Sequence, residues 1–315
     1  MKVLVTGAAG FIGMHCARRL LARGDRVLGV DNLSPYYSVQ LKKDRVAQLE
    51  GQRGFTFHQL DIAEGNDLKN LFTSEQPEAV LHLAAQPGVR YSLENPAAYV
   101  QANVVGFANL LECCRSHPPR HLVFASSSSV YGANPKLPWS ESDNVDHPIS
   151  LYAATKKSNE LMAHVYHHLY RLPATGLRYF TVYGPWGRPD MSPLLFARAI
   201  VEGRPIPVFN HGDMQRDFTY VDDIVEGTLR VLDRPGGYAL YNLGNHAPVA
   251  LLDYIAALER AFGRKAKLEM RPMQPGDVKS TYADTRALAN AVGFAPSTPL
   301  EVGLARFAEW YKSYY

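Results

Sequence analysis

The chain has 315 residues, which suits two domains that share a boundary. Its 46% hydrophobic and 20% charged residues are ordinary for a soluble globular enzyme. The 33 basic and 30 acidic residues leave a net charge of +3, so the charge balance gives no reason to expect a nucleic acid or an anionic membrane as partner.

The three cysteines, Cys16, Cys113 and Cys114, match neither a metal site nor a disulfide framework. We therefore expect reduced, mostly buried thiols, no bound metal and a cytoplasmic protein. The first residues, MKVLVTGAAG, have the pattern of a strand and a turn and not of a signal peptide, and no apolar run is long enough to span a bilayer.

Short apolar runs alternate with helical patterns over residues 1–182. The runs predict strands at 2–6, 26–31, 55–59, 79–83, 121–126 and 175–180, and the helical patterns predict helices at 13–23, 67–75, 97–115 and 151–170. Such alternation predicts an α/β domain with a doubly wound parallel sheet and helices on both faces.

The remaining residues, 183–315, contain more glycine and proline and mix helices with short strands. This predicts a smaller, mixed α/β C-terminal domain that binds the substrate. A helix at 221–233 and a strand at 238–242 are expected to return to the first domain, over about 217–245, so that the two domains interleave.

The first strand leads directly into Gly7, Gly10 and Gly13 and into a helix that begins with Phe11 and Ile12. Glycines at this spacing permit a tight turn and a close approach of the backbone to a pyrophosphate, and the helix N-terminus presents N–H groups to the phosphates. The pattern is typical of a Rossmann-type domain that binds a dinucleotide.

Asp31 ends the second strand, 18 residues after Gly13. A carboxylate there accepts hydrogen bonds from the adenosine ribose and repels a 2′-phosphate. No lysine or arginine follows before Lys42, so we expect NAD and not NADP as cofactor. The alternative is an aspartate that caps a helix or a turn. Asp61 and Ile62, after the third strand, are expected to reach the adenine.

Small residues follow the fourth strand, where Leu83, Ala84 and Ala85 would let the backbone lie against the cofactor. The preceding His82 is expected to sit in the sheet and to take no part in the chemistry. Asn103, on the next helix, is a candidate for a polar contact behind the nicotinamide.

Tyr152 and Lys156 stand four residues apart, which on a helix places both side chains on one face. A lysine ammonium stabilises a phenolate, so Tyr152 can take a proton from a sugar hydroxyl while a hydride leaves the same carbon. Such pairs are also common on helices without a function. The serine run at 126–129 favours the catalytic interpretation, because it ends the fifth strand, at the sheet edge where ligands bind.

The motifs TGAAGFIG, HLAAQ, SSSSVYG and YAATK, together with Asp31, resemble those of the extended short-chain dehydrogenase/reductases that act on nucleotide-sugars. The resemblance covers essentially the whole chain and implies that Tyr152, Lys156 and Ser127 are catalytic. It implies a homodimer joined through the helices at 97–115 and 151–170. It also implies further contacts to the cofactor, from Asn32, Ser126 and Tyr179 and from the catalytic tyrosine and lysine.

The C-terminal half, with TVYGPWGRPDM, MQRDFTY and MQPGDV, and the upstream SLENP look like the UDP-glucuronate 4-epimerases. Thr181 stands where many galactose-type epimerases carry asparagine. With Ser127, Ser128 and Ser129 it would form a hydroxyl-rich pocket that suits a sugar carboxylate. Decarboxylating relatives carry a glutamate at the position of Ser129, so its absence argues for retention of the carboxylate.

The resemblance implies a cycle from UDP-glucuronate to UDP-galacturonate without net redox change. Tyr152 deprotonates the C4 hydroxyl while a hydride passes to NAD, the 4-keto sugar turns about its bonds to the diphosphate, and hydride and proton return on the opposite face. Binding energy from the distant nucleotide holds the intermediate while the sugar turns.

The same resemblance implies the residues that hold the UDP group. Arg216 matches the family's diphosphate arginine, and Arg188 is either a second anion ligand or a surface partner of Asp190. Val208 and Phe209 either flank the uracil or form a short buried strand. Asp277 is expected at the uridine ribose, with Gln274 and Arg271 as further candidates.

Two other interpretations remain. One is a relative with different chemistry: a UDP-glucuronate decarboxylase, a 4,6-dehydratase or a 4-epimerase of a neutral UDP-sugar. A dehydratase would need an Asp–Glu pair beside the serine motif, where Ser128 and Ser129 lack carboxylates. The other is a non-catalytic NAD sensor, against which the joint presence of Tyr152, Lys156 and Ser127 counts.

Overall fold

The computed structural model describes residues 1–274 and 277–315. The strands of these residues are β1 (Lys2–Thr6), β2 (Arg26–Asp31), β3 (Phe55–Gln59), β4 (Ala79–His82), β5 (Leu122–Ser127), β6 (Ala174–Tyr179), β7 (Thr181–Tyr183), β8 (Pro205–Val208), β9 (Gln215–Tyr220), β10 (Tyr238–Leu243), β11 (Pro248–Ala250) and β12 (Lys267–Met270).

The helices of the described residues are α1 (Phe11–Ala22), α2 (Val39–Ala47), α3 (Gly65–Glu75), α4 (Tyr91–Glu94), α5 (Pro96–Tyr99), α6 (Gly106–Ser116), α7 (Leu151–Tyr170), α8 (Ser192–Glu202), α9 (Val221–Leu232), α10 (Leu251–Phe262), α11 (Arg286–Val292) and α12 (Leu300–Tyr314). A π-helical turn spans Val100–Val105, and 3₁₀ turns span Ser128–Tyr131 and Phe209–Gly212.

The central sheet has the strand order β10-β6-β5-β4-β1-β2-β3, and β1 to β6 pair in parallel. Its inner strands are buried on both faces, as the continuous apolar run Val3–Val5 in β1 illustrates, whereas the edge strands β3 and β10 are partly exposed. The order 3-2-1-4-5-6 is that of a Rossmann fold, so the predicted doubly wound sheet is confirmed. The carboxyl ends of β1, β2, β4 and β5 therefore share one edge.

The chain forms two compact units. The first comprises Met1–Asn134, Glu141–Tyr179 and Val225–Tyr241, and the second comprises Pro135–Ser140, Phe180–Ile224 and Asn242–Tyr315. The return to the first unit thus begins at Val225, later than the predicted 217, because β9 pairs with β7 and β11 in the second unit. The excursion of Pro135–Ser140 into the second unit was not predicted. This segment joins the second unit through Trp139, whose backbone N–H donates to Tyr282 and whose carbonyl oxygen accepts from Asp284.

Two local features differ from the prediction. Helix α2 was not predicted, because few of its residues are apolar and its buried positions include Lys42 and Arg45. The single helix predicted at 97–115 is divided into α5, the π-helical turn and α6. The π-helical turn carries the buried Asn103, and such turns are frequent at functional sites.

The second unit contains a three-stranded sheet, β11-β9-β7, and the parallel pair β12-β8. Helix α10 packs against α8 and α12, and Phe262 of α10 meets Phe307 and Tyr311 of α12. None of the helices in the described residues is both long enough and apolar enough to cross a membrane.

Candidate active site

The turn after β1 is built for close backbone contact. Gly7 has a φ of +74°, and a Cβ atom on it would lie 2.7 Å from the backbone nitrogen of Ala84. A Cβ atom on Gly13 would lie 2.0 Å from the carbonyl oxygen of Gly7. Both positions therefore exclude any side chain. The turn lies against the segment after β4, and the N–H groups at the N-terminus of α1 are open to a ligand phosphate.

The end of β2 meets this turn through Asp31. Its carboxylate accepts hydrogen bonds from the backbone N–H groups of Ala9, at 3.2 Å, and Leu33, at 2.8 Å. Next to it, the Asn32 amide donates to the Asp61 carboxylate at 2.8 Å. Three of the predicted cofactor ligands thus lie together. Ile62, by contrast, has its side chain in the hydrophobic core, and its carbonyl oxygen accepts from the Asn109 amide at 3.0 Å.

Two cations lie near Asp31. Arg45 of α2 is buried and donates to the carbonyl oxygen of Ala9 at 3.1 Å and to the Tyr37 hydroxyl at 2.7 Å. The Lys42 ammonium lies 4.8 Å from the centre of the Tyr37 ring. Burial raises the pKa of Asp31, and the charges of Lys42 and Arg45 oppose that rise. Helix α2 therefore brings two cations close to Asp31, although residues 32–41 contain no lysine or arginine.

Helix α7 positions the predicted acid–base pair. Ser150 caps its N-terminus by accepting from the Ala153 N–H at 3.1 Å, which places Tyr152 in the first turn. The Tyr152 ring stands edge-on to Tyr99 at 6.1 Å between centroids. Lys156, one turn later, is fully buried and donates to the carbonyl oxygen of Ala125 at 2.9 Å. Burial lowers the pKa of Lys156 to about 8, so the ammonium form still predominates at neutral pH.

Ser127 ends β5 beside this lysine contact. Its hydroxyl oxygen accepts the backbone N–H of Ser129 at 3.1 Å and caps the 3₁₀ turn that follows. Within the described residues its hydroxyl hydrogen has no acceptor, so it can donate to a ligand. The structure thus brings Ser127 and Lys156 to the same end of β5.

Asn103 serves the protein's own backbone. Its amide nitrogen donates to the carbonyl oxygen of Gln86 at 3.1 Å and to the Thr155 hydroxyl at 3.0 Å, and its amide oxygen accepts the Gln86 N–H at 2.8 Å. Both amide hydrogens are therefore engaged. Asn103 thus joins the segment after β4 to Thr155, and its contact to the nicotinamide stays a prediction.

Three other predicted side chains point into the protein. Ser126 donates to the Glu160 carboxylate at 2.6 Å, and the Tyr179 hydroxyl shares a 2.9 Å hydrogen bond with Thr228. Only the backbones of Ser126 and Tyr179 are left for the cofactor. His82 lies within β4 as predicted: it bonds the Thr6 hydroxyl at 2.8 Å, and burial lowers its pKa to about 3.

The second unit carries the remaining predicted ligands. Arg188 donates to the Asp190 carboxylate at 3.1 Å, which matches the predicted pairing, and its role as an anion ligand stays a prediction. Val208 is buried at the end of β8, as expected of a short core strand, whereas Phe209 is half-buried in the 3₁₀ turn. Thr181 opens β7 and is half-buried.

Arg216 lies on β9 and donates to the carbonyl oxygens of Gln215, at 2.8 Å, and Lys279, at 3.2 Å. The next residue, Asp217, fixes this strand, because its buried carboxylate accepts backbone N–H groups from Asn245, His246 and Ala283. The motif DFTY thus supplies a structural aspartate beside the predicted diphosphate ligand.

Gln274 and Asp277 lie on the segment that runs towards β9. The side-chain oxygen of Gln274 is buried and has no hydrogen-bond partner among the described residues, which leaves it available to a ligand. The Asp277 N–H donates to the carbonyl oxygen of Gln274 at 3.3 Å. Pro275 and Gly276 of the MQPGDV motif lie outside the described residues. Arg271 pairs instead with Glu269 at 2.7 Å.

A sequence profile for a family described as "NAD dependent epimerase/dehydratase family" matches residues 3–244, more than half of the chain. The chain belongs to this family. A "Probable UDP-glucuronate 4-epimerase" of Rhizobium meliloti (strain 1021) is 47% identical to it over 334 residues, which covers 100% of this chain and 98% of that protein.

Solved structures of UDP-sugar epimerases are similar to this chain over essentially its whole length. The crystal structure of UDP-glucuronic acid 4-epimerase from Bacillus cereus with UDP-glucuronic acid and NAD matches with a TM-score of 0.94 at 36% identity over 100% of both chains. A UDP-glucose 4-epimerase of Thermotoga maritima with UDP-glucose matches with a TM-score of 0.91 at 30% identity over 99% of both chains.

NAD is the cofactor of this epimerase, and the first unit fits it. The turn at Gly7 and Gly13 has no side chain that would obstruct a pyrophosphate, and Asp31 ends β2, the position at which Rossmann domains recognise the adenosine ribose. In the part of the chain that the structure describes, no His, Cys, Asp and Glu side chains are grouped to hold a metal ion.

Proposed function

We propose that this epimerase interconverts UDP-glucuronate and UDP-galacturonate by inverting C4 while the C6 carboxylate is retained. One observation carries the proposal: the end of β5 offers a run of hydroxyls, Ser127 to Ser129, with no carboxylate before Val130. The names of the relative from Rhizobium meliloti and of the Bacillus cereus enzyme support the same substrate.

Tyr152 is the acid–base residue of the proposed reaction. It takes the proton of the C4 hydroxyl and later returns one to the O4 oxygen. The buried Lys156 ammonium stabilises the phenolate between these steps, because a charge that is shielded from water acts more strongly than an exposed one. NAD, held by the turn at Gly7 and Gly13 and by Asp31, would supply the hydride chemistry at C4.

Ser127 orients the reacting oxygen. Since the Ser129 N–H fixes its hydroxyl oxygen, the Ser127 hydroxyl hydrogen has a restricted direction and can donate to O4. A fixed donor of this kind lowers the barrier more than a mobile one, because no reorganisation is needed when charge develops on the oxygen.

Retention of the carboxylate needs control of its orientation. Oxidation at C4 creates a β-keto acid, which loses carbon dioxide when the bond to the carboxylate overlaps the carbonyl π system. Donors from Ser128 and Ser129 would hold the carboxylate away from that orientation. A glutamate at position 129 would repel the carboxylate. The serine that stands there instead favours the epimerase over the decarboxylase.

The second unit supplies the proposed ligands of the nucleotide. Arg216 binds the diphosphate, Asp277 the uridine ribose and Phe209 the uracil. The unpartnered Gln274 oxygen is a further acceptor for the base or ribose. Arg188 contributes only if the ligand displaces Asp190, since the two side chains are paired.

A cytoplasmic homodimer completes the proposal. Leu161, Val165 and Leu169 recur every four residues along α7 and are 56%, 48% and 59% exposed, so they form one apolar stripe. A second copy that covers this stripe would be detected as a doubled mass by light scattering.

The proposed compartment is the cytoplasm, because three buried free cysteines suit a reducing environment.

The proposal is tested by incubating the purified enzyme with UDP-glucuronate and analysing the product by mass spectrometry and NMR. An unchanged mass with a galacto configuration at C4 supports the proposal. Loss of carbon dioxide would identify a decarboxylase, and turnover of UDP-glucose alone would identify a neutral-sugar epimerase, the activity named for the Thermotoga maritima relative. Tyr152→Phe serves as the inactive control.

A further inference from the structure

A buried ion pair lies directly behind the catalytic serine. Glu160, one turn after Lys156 on α7, faces Arg178 of β6. The guanidinium donates through Nε to Oε1 at 2.8 Å and through Nη2 to Oε2 at 2.9 Å, and the two side chains are 2% and 1% exposed. This two-pronged geometry fixes both side chains.

The pair contacts Ser126, the residue before Ser127, and Tyr131, four residues after it. On one side, the Ser126 hydroxyl donates to Glu160 Oε1 at 2.6 Å, and Ser126 is the register partner of Arg178 across β5 and β6. On the other side, Arg178 Nη1 donates to the Tyr131 hydroxyl at 3.0 Å, with the guanidinium carbon 4.9 Å from the centre of the Tyr131 ring. Ser127 therefore lies on a short segment that the ion pair anchors at residue 126 and at residue 131.

Fold stability alone does not explain this arrangement. Removing two charges from water is unfavourable. Well-packed apolar residues of similar volume often stabilise a core as well as a buried ion pair does, or better. Apolar residues would not, however, make directional bonds to Ser126 and Tyr131. What distinguishes the ion pair from apolar packing is therefore its control of position.

We propose that Glu160 and Arg178 are positioning residues, which act through Ser126 and Tyr131 to hold the Ser127 hydroxyl in line with the substrate O4 and Tyr152. The inference rests on the proposed function, because it needs a sugar hydroxyl that Ser127 contacts. A positioning role differs from a structural role in one respect. Loss of an anchor should lower kcat only while Ser127 has a hydroxyl to position.

The test is a double-mutant cycle in kcat between Ser126→Ala and Ser127→Ala. Ser126→Ala removes one anchor and leaves the ion pair intact, so the fold is kept. We expect it to lower kcat about tenfold or more in the wild-type background, with the KM for UDP-glucuronate and the affinity for NAD within about twofold. In the Ser127→Ala background the same change should alter kcat less than about twofold.

Tyr131→Phe tests the anchor on the other side and should behave in the same way. Ser158→Ala is the matched control, because it removes a hydroxyl that donates to Ala154 at 2.9 Å on the same helix but has no link to Ser127. Its kcat should stay within about twofold of the wild type. An equal loss from Ser126→Ala in both backgrounds, or no loss in either, overturns the inference.

The cycle also separates this inference from the proposed function. Turnover of UDP-glucuronate by the wild type reports on the substrate alone. If the wild type epimerises a neutral UDP-sugar instead, the same variants are assayed with that sugar, and the coupling between positions 126 and 127 still decides the inference.

Discussion

The Lys156 ammonium donates to the carbonyl oxygen of Ala125 at 2.9 Å, so this contact joins α7 to β5, the strand that ends with Ser127. A neutral oxygen compensates a buried charge only in part, and burial accordingly lowers the pKa of Lys156 to about 8. Burial thus brings the pKa of Lys156 close to neutral pH, where the proposed reaction would depend on its charge.

Activity should therefore fall with rising pH. As the pH passes through about 8, Lys156 loses its proton and the phenolate of Tyr152 loses its stabilising charge. We expect the logarithm of kcat/KM to decline on the alkaline side with a midpoint near that pH. A profile that stays flat to pH 10 would show that the buried ammonium does not assist the tyrosine.

Stability should change in the opposite direction. Below about pH 8 Lys156 is protonated in both the folded and the unfolded chain, and its contribution to the free energy of unfolding is constant. Between about 8 and the ordinary value of 10.5 the unfolded chain binds more protons, so the free energy of unfolding rises with pH. The total rise is about 3 kcal/mol.

Lys156→Met is the control for this rise, because it removes the titrating group. Urea unfolding at intervals from pH 7 to pH 10 measures the free energy of unfolding of both proteins. The wild-type curve should climb relative to the variant. Curves that run parallel would mean that the lysine keeps its ordinary pKa in the fold.

Asp31 alone should exclude NADP. With Lys42 and Arg45 nearby, Asp31→Asn would leave a positive site at the ribose end of the cofactor. We expect NAD to bind about ten- to hundredfold more weakly and NADP to bind measurably, since the 2′-phosphate would meet the two cations. Isothermal titration with both dinucleotides measures the change.

Asp61→Asn is the matched variant for that experiment, because Asp61 accepts from Asn32 but is not an expected ligand of the ribose. It should weaken NAD binding without admitting NADP. A failure of Asp31→Asn to bind NADP would mean that Lys42 and Arg45 are held too firmly to reach a 2′-phosphate.

The sequence predicted the central sheet closely, and the reason is physical. Strands buried on both faces appear as continuous apolar runs, and α7 spans Leu151–Tyr170 as predicted because Ser150 caps it and Arg171 ends it in the left-handed conformation. The π-helical turn was missed, since a single extra residue per turn hardly disturbs the apolar periodicity of a helix.

The contacts between side chains were less predictable than the bounds of the helices and strands. Nothing in a linear sequence shows that α2 brings Lys42 towards Asp31, or that Glu160 and Arg178 meet behind Ser127, because both depend on how helices fold back on the sheet. The glycine turn, by contrast, was predictable, since spacing alone imposes its backbone geometry.

The buried ion pair should show strong coupling in stability. Glu160→Met leaves Arg178 charged and unpaired and should lower the free energy of unfolding by about 3–5 kcal/mol. The double variant with Arg178→Met should lose less than this single change, because no charge remains buried alone. Urea unfolding at pH 7 measures all of them, and additive losses would contradict the coupling.

The most direct test of the central claim follows the hydrogen on C4. UDP-glucuronate carrying deuterium at C4 is converted in ordinary water, and the product is analysed by NMR and mass spectrometry. If the hydride leaves and returns within one active site, UDP-galacturonate keeps its deuterium at C4 and its carboxylate. Replacement of the deuterium by solvent hydrogen, or loss of carbon dioxide, would contradict the account.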